Sequence, residues 1–162
     1  MIQIFITGGT LDKCYNELDG KLSFPETQLP AMLKQARCTA EIDVQLLMLK
    51  DSLEMTDSDR DQIQQNCNAT DARHIVITHG TDTMVDTAKH LAQTIQNKTI
   101  VLVGAMVPYT IKQSDALFNL GCAITAVQLM PAGIYITMNG QVFTWDKVLK
   151  DKQAGEFRVS DV

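Results

Sequence analysis

Apolar residues fall into short continuous runs, separated by longer stretches in which they recur every three or four positions. The runs are residues 2–7 (IQIFIT), 41–49 (EIDVQLLML), 73–78 (RHIVIT), 99–103 (TIVLV) and 132–138 (AGIYITM). Each has the length of a strand, and runs this apolar suit a sheet covered on both faces, as parallel sheets are. Between them the period changes to that of a helix. Leu29, Met32, Leu33 and Ala36 share one helical face; Met84, Ala88, Leu91, Ala92 and Ile95 form a second stripe; Leu117, Leu120, Ala123, Ile124 and Val127 form a third. A more polar helix carries Ile63 and Cys67, and Thr56 followed by Asp59 gives it a capping-box start.

Strand and helix alternating along the chain predict an α/β fold. The expected form is a doubly wound, mostly parallel sheet with helices on both faces, a Rossmann/flavodoxin-like three-layer sandwich. Two stretches stand outside the alternation. Residues 11–24 show little periodicity between the first strand and first helix, which marks a mobile or functional loop. The polar tail 145–162 (WDKVLKDKQAGEFRVSDV) has no evident partner in the repeat.

A length of 162 residues fits one domain over 1–162 and suffices for a sizeable core. The net charge of −5 narrows the partners: no cluster of Lys and Arg offsets it, so nucleic acid and anionic membrane are poor partners and a small polar ligand a better one. Cys14, Cys38, Cys67 and Cys122 form no CxxC pair and are expected as reduced thiols. No apolar run approaches a membrane span, and the first residues carry no basic leader pattern. A cytoplasmic protein is the expectation.

In an open α/β sheet, ligands bind at the carboxyl ends of the strands. There the sequence offers Thr7-Gly8-Gly9-Thr10, Asp51-Ser52, His79-Gly80-Thr81-Asp82-Thr83 and Gly104-Ala105-Met106. The Gly8-Gly9 turn allows close backbone approach, so that N–H groups converge on an anion or oxyanion, or it is simply a structural turn. Thr81-Asp82 reads either as a helix cap with an acidic first turn or as a hydroxyl and a carboxylate aimed into the rim. His79 is an acid/base candidate or a histidine satisfied by local hydrogen bonds. His74 and His90 have no partners in sequence, and neither HExxH nor Cys/His spacing supports a metal. GxSxG, GxGxxG and Walker patterns are absent, which leaves a threonine hydroxyl as nucleophile. Its base would be a lysine, and Lys147, Lys150 and Lys152 lie within reach in the tail.

Five motifs occur together: TGGT (7–10), ITHGTDTM (77–84), VGAMVP (103–108), SDALFNL (114–120) and MNGQVF (138–143). In this order they resemble the amino-terminal domain of the bacterial-type L-asparaginases, from Ile2 to about Lys150. The resemblance implies that Thr10 is the nucleophile attacking a side-chain amide and that Tyr15, in the following loop, helps to activate it. It implies a second hydroxyl triad of Thr81, Asp82 and Lys150, with Asp82 also holding the substrate α-amino group. Ser52 corresponds to the serine that contacts the α-carboxylate, and the Ala105 backbone borders the reacting amide. Backbone N–H groups near Gly9 and Thr81 would stabilise the oxyanion.

The implied function is hydrolysis of L-asparagine, or a related amide, to aspartate and ammonia, without metal or cofactor. Leu53 departs from the family, which often has a polar residue there. The family's carboxyl-terminal domain, which completes the pocket, is expected to be absent, so a homo-oligomer is expected to close the site. The alternative is a catalytically weak or inactive amino-acid-binding or regulatory module of the same fold. A flavodoxin-like nucleotide-binding domain is a third reading that rests on fold analogy alone.

Overall fold

The computed structural model describes residues 1–160; Asp161 and Val162, the end of the polar tail, lie outside the described residues. Five strands form a parallel sheet: β1 (Ile2–Gly8), β4 (Ile42–Lys50), β5 (His74–Thr78), β6 (Thr99–Val103) and β7 (Gly133–Met138). A sixth strand, β8 (Gln141–Thr144), turns back antiparallel on β7, giving the order β4-β1-β5-β6-β7-β8.

Period-two alternation explains why the inner strands are apolar throughout. Ile4 and Ile6 of β1, Val76 of β5 and Val101 and Val103 of β6 enter one core, with Leu29 and Met32 of α1 (Leu29–Gln35) and Leu120, Ala123 and Val127 of α4 (Ala116–Leu129). Phe5, Ile75, Ile77, Ile100 and Leu102 point the other way. They meet Ile63 and Cys67 of α2 (Asp57–Ala69) and Met84, Ala88 and Leu91 of α3 (Met84–Ala92). Adjacent residues therefore serve different layers, and the three-layer architecture follows. Each fully buried aliphatic side chain contributes roughly 1.5–3 kcal/mol, so both faces are needed to hold the sheet. The α2 start is the expected capping box, with Thr56 and Asp59 exchanging side-chain-to-backbone hydrogen bonds.

Strand β4 departs from the expected double coverage. It is a sheet edge, with Val44 and Leu46 exposed, because α1 is only seven residues long and shields little of it. The two stretches outside the alternation each form a hairpin. Residues 11–24 hold β2 (Cys14–Asn16) and β3 (Lys21–Ser23). The tail holds β9 (Leu149–Asp151) and β10 (Glu156–Arg158), which pair with each other outside the six-stranded sheet. The Asp151 carboxylate accepts from Gln153 and Ala154 N–H to close its turn, and Gly155 takes the positive φ of 69° that follows. Val148 and Phe157 anchor this hairpin in the core under β7.

Candidate active site

The sheet reverses its winding between β1 and β5, the switch point at which α/β domains open a crevice. The two strand ends are tied directly: Thr7 Oγ1 donates to Thr78 O at 2.7 Å. Gly8 and Gly9 then have φ of 96° and 80°, in the region open to glycine. A Cβ on Gly9 would stand 2.4 Å from Gly80 N, so the TGGT turn lies backbone to backbone on the turn after β5. On its other side Gly9 N–H donates to Lys50 O at 2.9 Å. Thr10 opens a short 3₁₀ turn (Thr10–Asp12) and is half-buried at the rim.

Gly80 is equally constrained. A Cβ there would lie 2.6 Å from both Cβ and Oγ of Ser52. Ser52 begins the turn after β4 and is itself buried; its carbonyl accepts from Thr83 Oγ1 at 2.8 Å. The turns after β1, β4 and β5 thus meet around one glycine.

Thr81 and Asp82 do not cap α3. The helix begins at Met84 behind Thr83, which makes no side-chain capping bond. Both instead face Lys150, delivered from the tail by β9: its Nζ donates to Thr81 Oγ1 at 2.7 Å and to Asp82 Oδ1 at 2.8 Å. The lysine side chain is 11% exposed and the aspartate 35%, so the pair is partly shielded and opens to solvent through Asp82. Lys147 and Lys152 are exposed outside this cluster. Hydroxyl, ammonium and carboxylate in line can pass a proton and stabilise charge on the hydroxyl oxygen.

Ala105 is fully buried at the end of β6, in a turn built by the next motif. The Asp115 carboxylate accepts from Met106 N–H (2.9 Å) and Val107 N–H (2.9 Å), while Asn119 Nδ2 donates to Gly104 O at 3.0 Å. Gly104 fits because a Cβ would stand 2.4 Å from His79 O. Tyr15 lies apart from these groups. It sits on β2 with its side chain 63% exposed, and its hydroxyl points to the hairpin tip at Gly20.

Several site supports carry no recognisable sequence signature. Lys13 Nζ bonds Asp51, tying the β2–β3 hairpin to the Ser52 turn. That bond, the Leu53 N–H and the nearby charges of Lys13 and Lys150 hold the Asp51 carboxyl below its ordinary range despite partial burial. Asp12 Oδ1 accepts from Gln28 N–H at 2.7 Å and Thr27 Oγ1 at 2.9 Å, closing the hairpin onto α1. Leu53 is 69% exposed beside Ser52 and brings no polar group there. Nearness to the TGGT turn is the only signal in the sequence that points to Asp12 or Lys13.

A glycine-rich turn packed on the turn that leads into a threonine–lysine–aspartate cluster, at the switch point of a doubly wound sheet, defines an α/β domain with a polar site at its rim. The profile for the amino-terminal part of asparaginases (Asparaginase, N-terminal) matches residues 1–155. The chain belongs to the asparaginase family.

Among its relatives, L-asparaginase 2 of Escherichia coli (strain K12) is 41% identical over 93 residues, covering 55% of this chain and 26% of that protein. A glutamyl-tRNA(Gln) amidotransferase component from Methanococcus maripaludis is 30% identical over 151 residues, covering 86% of this chain and 35% of the relative. The thermostable L-asparaginase from Thermococcus kodakarensis superposes with a TM-score of 0.86 at 28% identity, covering 98% of this chain and 50% of that one. The chain therefore spans about half the length of that solved relative and about a quarter to a third of the two curated ones.

Proposed function

We propose that this domain is an amidohydrolase that converts L-asparagine, or a related side-chain amide, to aspartate and ammonia, with Thr10 as nucleophile. The observation that carries this is the Lys150 ammonium bonded to both Thr81 and Asp82, next to a TGGT turn in backbone contact with Gly80.

Thr10 Oγ adds to the amide carbon as its proton leaves; assistance from Tyr15 requires the β2–β3 hairpin to carry its exposed hydroxyl to Thr10. The Thr81–Lys150–Asp82 array relays protons, and N–H groups near Gly9 and Thr81 hold the oxyanion. Collapse breaks the carbon–nitrogen bond, and ammonia departs with the transferred proton. Water then adds to the Thr10 ester, and cleavage of the carbon–oxygen bond frees the carboxylic acid and restores the hydroxyl. Asp82 receives the substrate α-amino group, Ser52 the α-carboxylate, and Ala105 borders the amide. This scheme uses no cofactor.

Ammonia release from asparagine and glutamine tests the reading. Thr10→Ala is expected to reduce turnover by at least about 10³-fold, and Lys150→Met to a comparable degree, since a nucleophile and its relay act as a unit. Turnover that survives Thr10→Ala would exclude this nucleophile; no ammonia from the intact protein would exclude the enzyme. One observation favours the binding-module alternative: Leu53, exposed beside Ser52, supplies no hydrogen bond where the family often has a polar residue. Aspartate raising the melting temperature with no ammonia formed would then be the result.

We also propose that the chain works as a homo-oligomer in the cytoplasm. Free Cys14, Cys38, Cys67 and Cys122 suit a reducing compartment. Among the described residues no helix is long and apolar enough to cross a membrane. The uncharged outer face of α4 supports self-association.

A further inference from the structure

His79 immediately precedes Gly80 and Thr81 and is fully buried. Its Nδ1 lies 2.7 Å from Gly80 O, and its Nε2 lies 2.7 Å from Thr87 Oγ1 on α3. Arg60 Nε, from α2, donates in turn to Thr87 Oγ1 at 3.2 Å. The ends fix the direction of this chain. A guanidinium can only donate and a carbonyl can only accept. Gly80 O therefore takes its proton from Nδ1, and in a neutral ring Nε2 is then an acceptor for the Thr87 hydroxyl, which also has Met55 Sδ within reach at 3.7 Å.

The consequence reaches the rim through peptide geometry. Gly80 C=O and Thr81 N–H belong to one planar trans unit. They point in opposite directions, so an imidazole that draws the carbonyl into the core turns the Thr81 N–H outward. Among the described residues, Thr81 N–H donates to no backbone or side-chain acceptor.

We propose that His79 is a positioning residue: as a neutral imidazole protonated on Nδ1, it locks the Gly80–Thr81 peptide so that Thr81 N–H faces the reacting carbonyl. This rests on the amidohydrolase reading above. The acceptor-only Gly80 carbonyl selects the Nδ1–H tautomer, Thr87 and Arg60 hold the other edge of the ring, and the substrate never touches His79. Burial supports the neutral form: it pushes His79 down to about 4, with the Gly80 bond opposing, Arg60 adding to the fall and Asp86 on α3 opposing it. Met55 Sδ closes the remaining side at 3.2 Å from Nε2.

Asparagine at position 79 places its amide N–H near the Nδ1 position, whereas glutamine reaches toward the Nε2 position. His79→Asn is therefore expected to keep kcat within about tenfold of the parent. His79→Gln is expected to lower kcat by about 10²–10³-fold, with KM little changed, the loss typical of a missing oxyanion donor. Equal losses in the two variants, or a loss confined to KM, would overturn the proposal.

Imidazole ¹⁵N spectra of the parent provide a reading independent of turnover. The expected result is an Nδ1–H tautomer with no titration between about pH 5 and 8. An Nε2–H tautomer, or titration near the ordinary histidine range of about 6.5, would overturn it. The Thr81 amide resonance, sharp in the parent, should broaden or shift in His79→Gln and recover in His79→Asn; an amide indifferent to both changes would also refute it. These spectra still decide the proposal if the protein releases no ammonia, an outcome that would refute only the amidohydrolase reading.

Discussion

Asp12 carries the clearest electrostatic penalty near the candidate nucleophile. Its side chain is fully buried, and while Oδ1 accepts two hydrogen bonds, Oδ2 has no partner among the described residues. Burial raises its pKa above the ordinary 3.8, and the bonds from Gln28 and Thr27 offset only part of that. The folded state thus holds the Asp12 proton more tightly than the unfolded chain does. Below the unfolded value both states are protonated. As pH rises through the window up to the raised folded value, the unfolded chain releases its proton first and stability is lost. Asp12→Asn keeps an oxygen for Gln28 and Thr27 but removes the ionisation. Its stability relative to the parent should therefore increase as pH rises from below 3.8 through the raised folded value. Denaturant melts across that range measure this directly, and a difference independent of pH would show that the Asp12 charge is not the cause.

At the level of elements, the β9–β10 hairpin decides whether the site is assembled, because it alone carries Lys150 to Thr81 and Asp82. Phe157, across from Lys150 in the ladder, is 1% exposed and anchors the hairpin under β7. Phe157→Ala should cost about 3–5 kcal/mol if the hairpin unfolds only with the whole protein. We expect a smaller global loss, with the hairpin releasing locally: faster protease cleavage within 152–155 and lower kcat, although Phe157 is not itself in the cluster. Unchanged turnover alongside increased cleavage would separate the hairpin from the chemistry. This element also marks the limit of reading by periodicity. Strands of three residues contain too few positions for a period of two, and their pairing rests on a turn closed by Asp151 and on a distant anchor in the core. The β2–β3 hairpin is hidden for the same reason. The five parallel strands are legible because burial on both faces imposes an apolar residue at nearly every position of the inner ones. Edge strand β4 shows the converse: its Val44 and Leu46 carry the same apolar signal without the coverage that it suggests. Thr81 and Asp82 resemble a cap because caps and rim groups draw on the same residue types. Lys150 decides between the two uses from 68 positions beyond Asp82, a separation no local pattern spans.

Across the whole molecule, charge and exposure single out α4. Its fourteen residues (ALFNLGCAITAVQL) include no Asp, Glu, Lys or Arg, yet Phe118 and Leu129 are 61% and 77% exposed. Apolar surface continues across the groove to Val142 on β8, through Cys122, Ala126 and Met130. A helix without charge on any side is characteristic of buried positions, yet Phe118, Gly121, Thr125, Gln128 and Leu129 face solvent. The chain carries a net charge of −5, so two copies repel on approach unless they meet where neither bears charge. The α4 face meets that condition, and a two-fold contact would set the same neutral surface on both subunits. Gly121 offers a clean test, because a Cβ there would meet nothing within 4 Å. Gly121→Glu should leave the monomer intact, and by helix propensity stabilise it by up to about 1 kcal/mol. It would also place two like charges close together in the contact. Sedimentation velocity should then show an oligomer for the parent and a monomer for the variant. A parent that sediments as a monomer, or a variant whose mass is unchanged, would remove α4 as the contact. If dissociation also lowers turnover while Lys150 remains bonded to Thr81 and Asp82, the second subunit contributes to closing the pocket; if turnover is unaffected, the cluster on a single chain suffices.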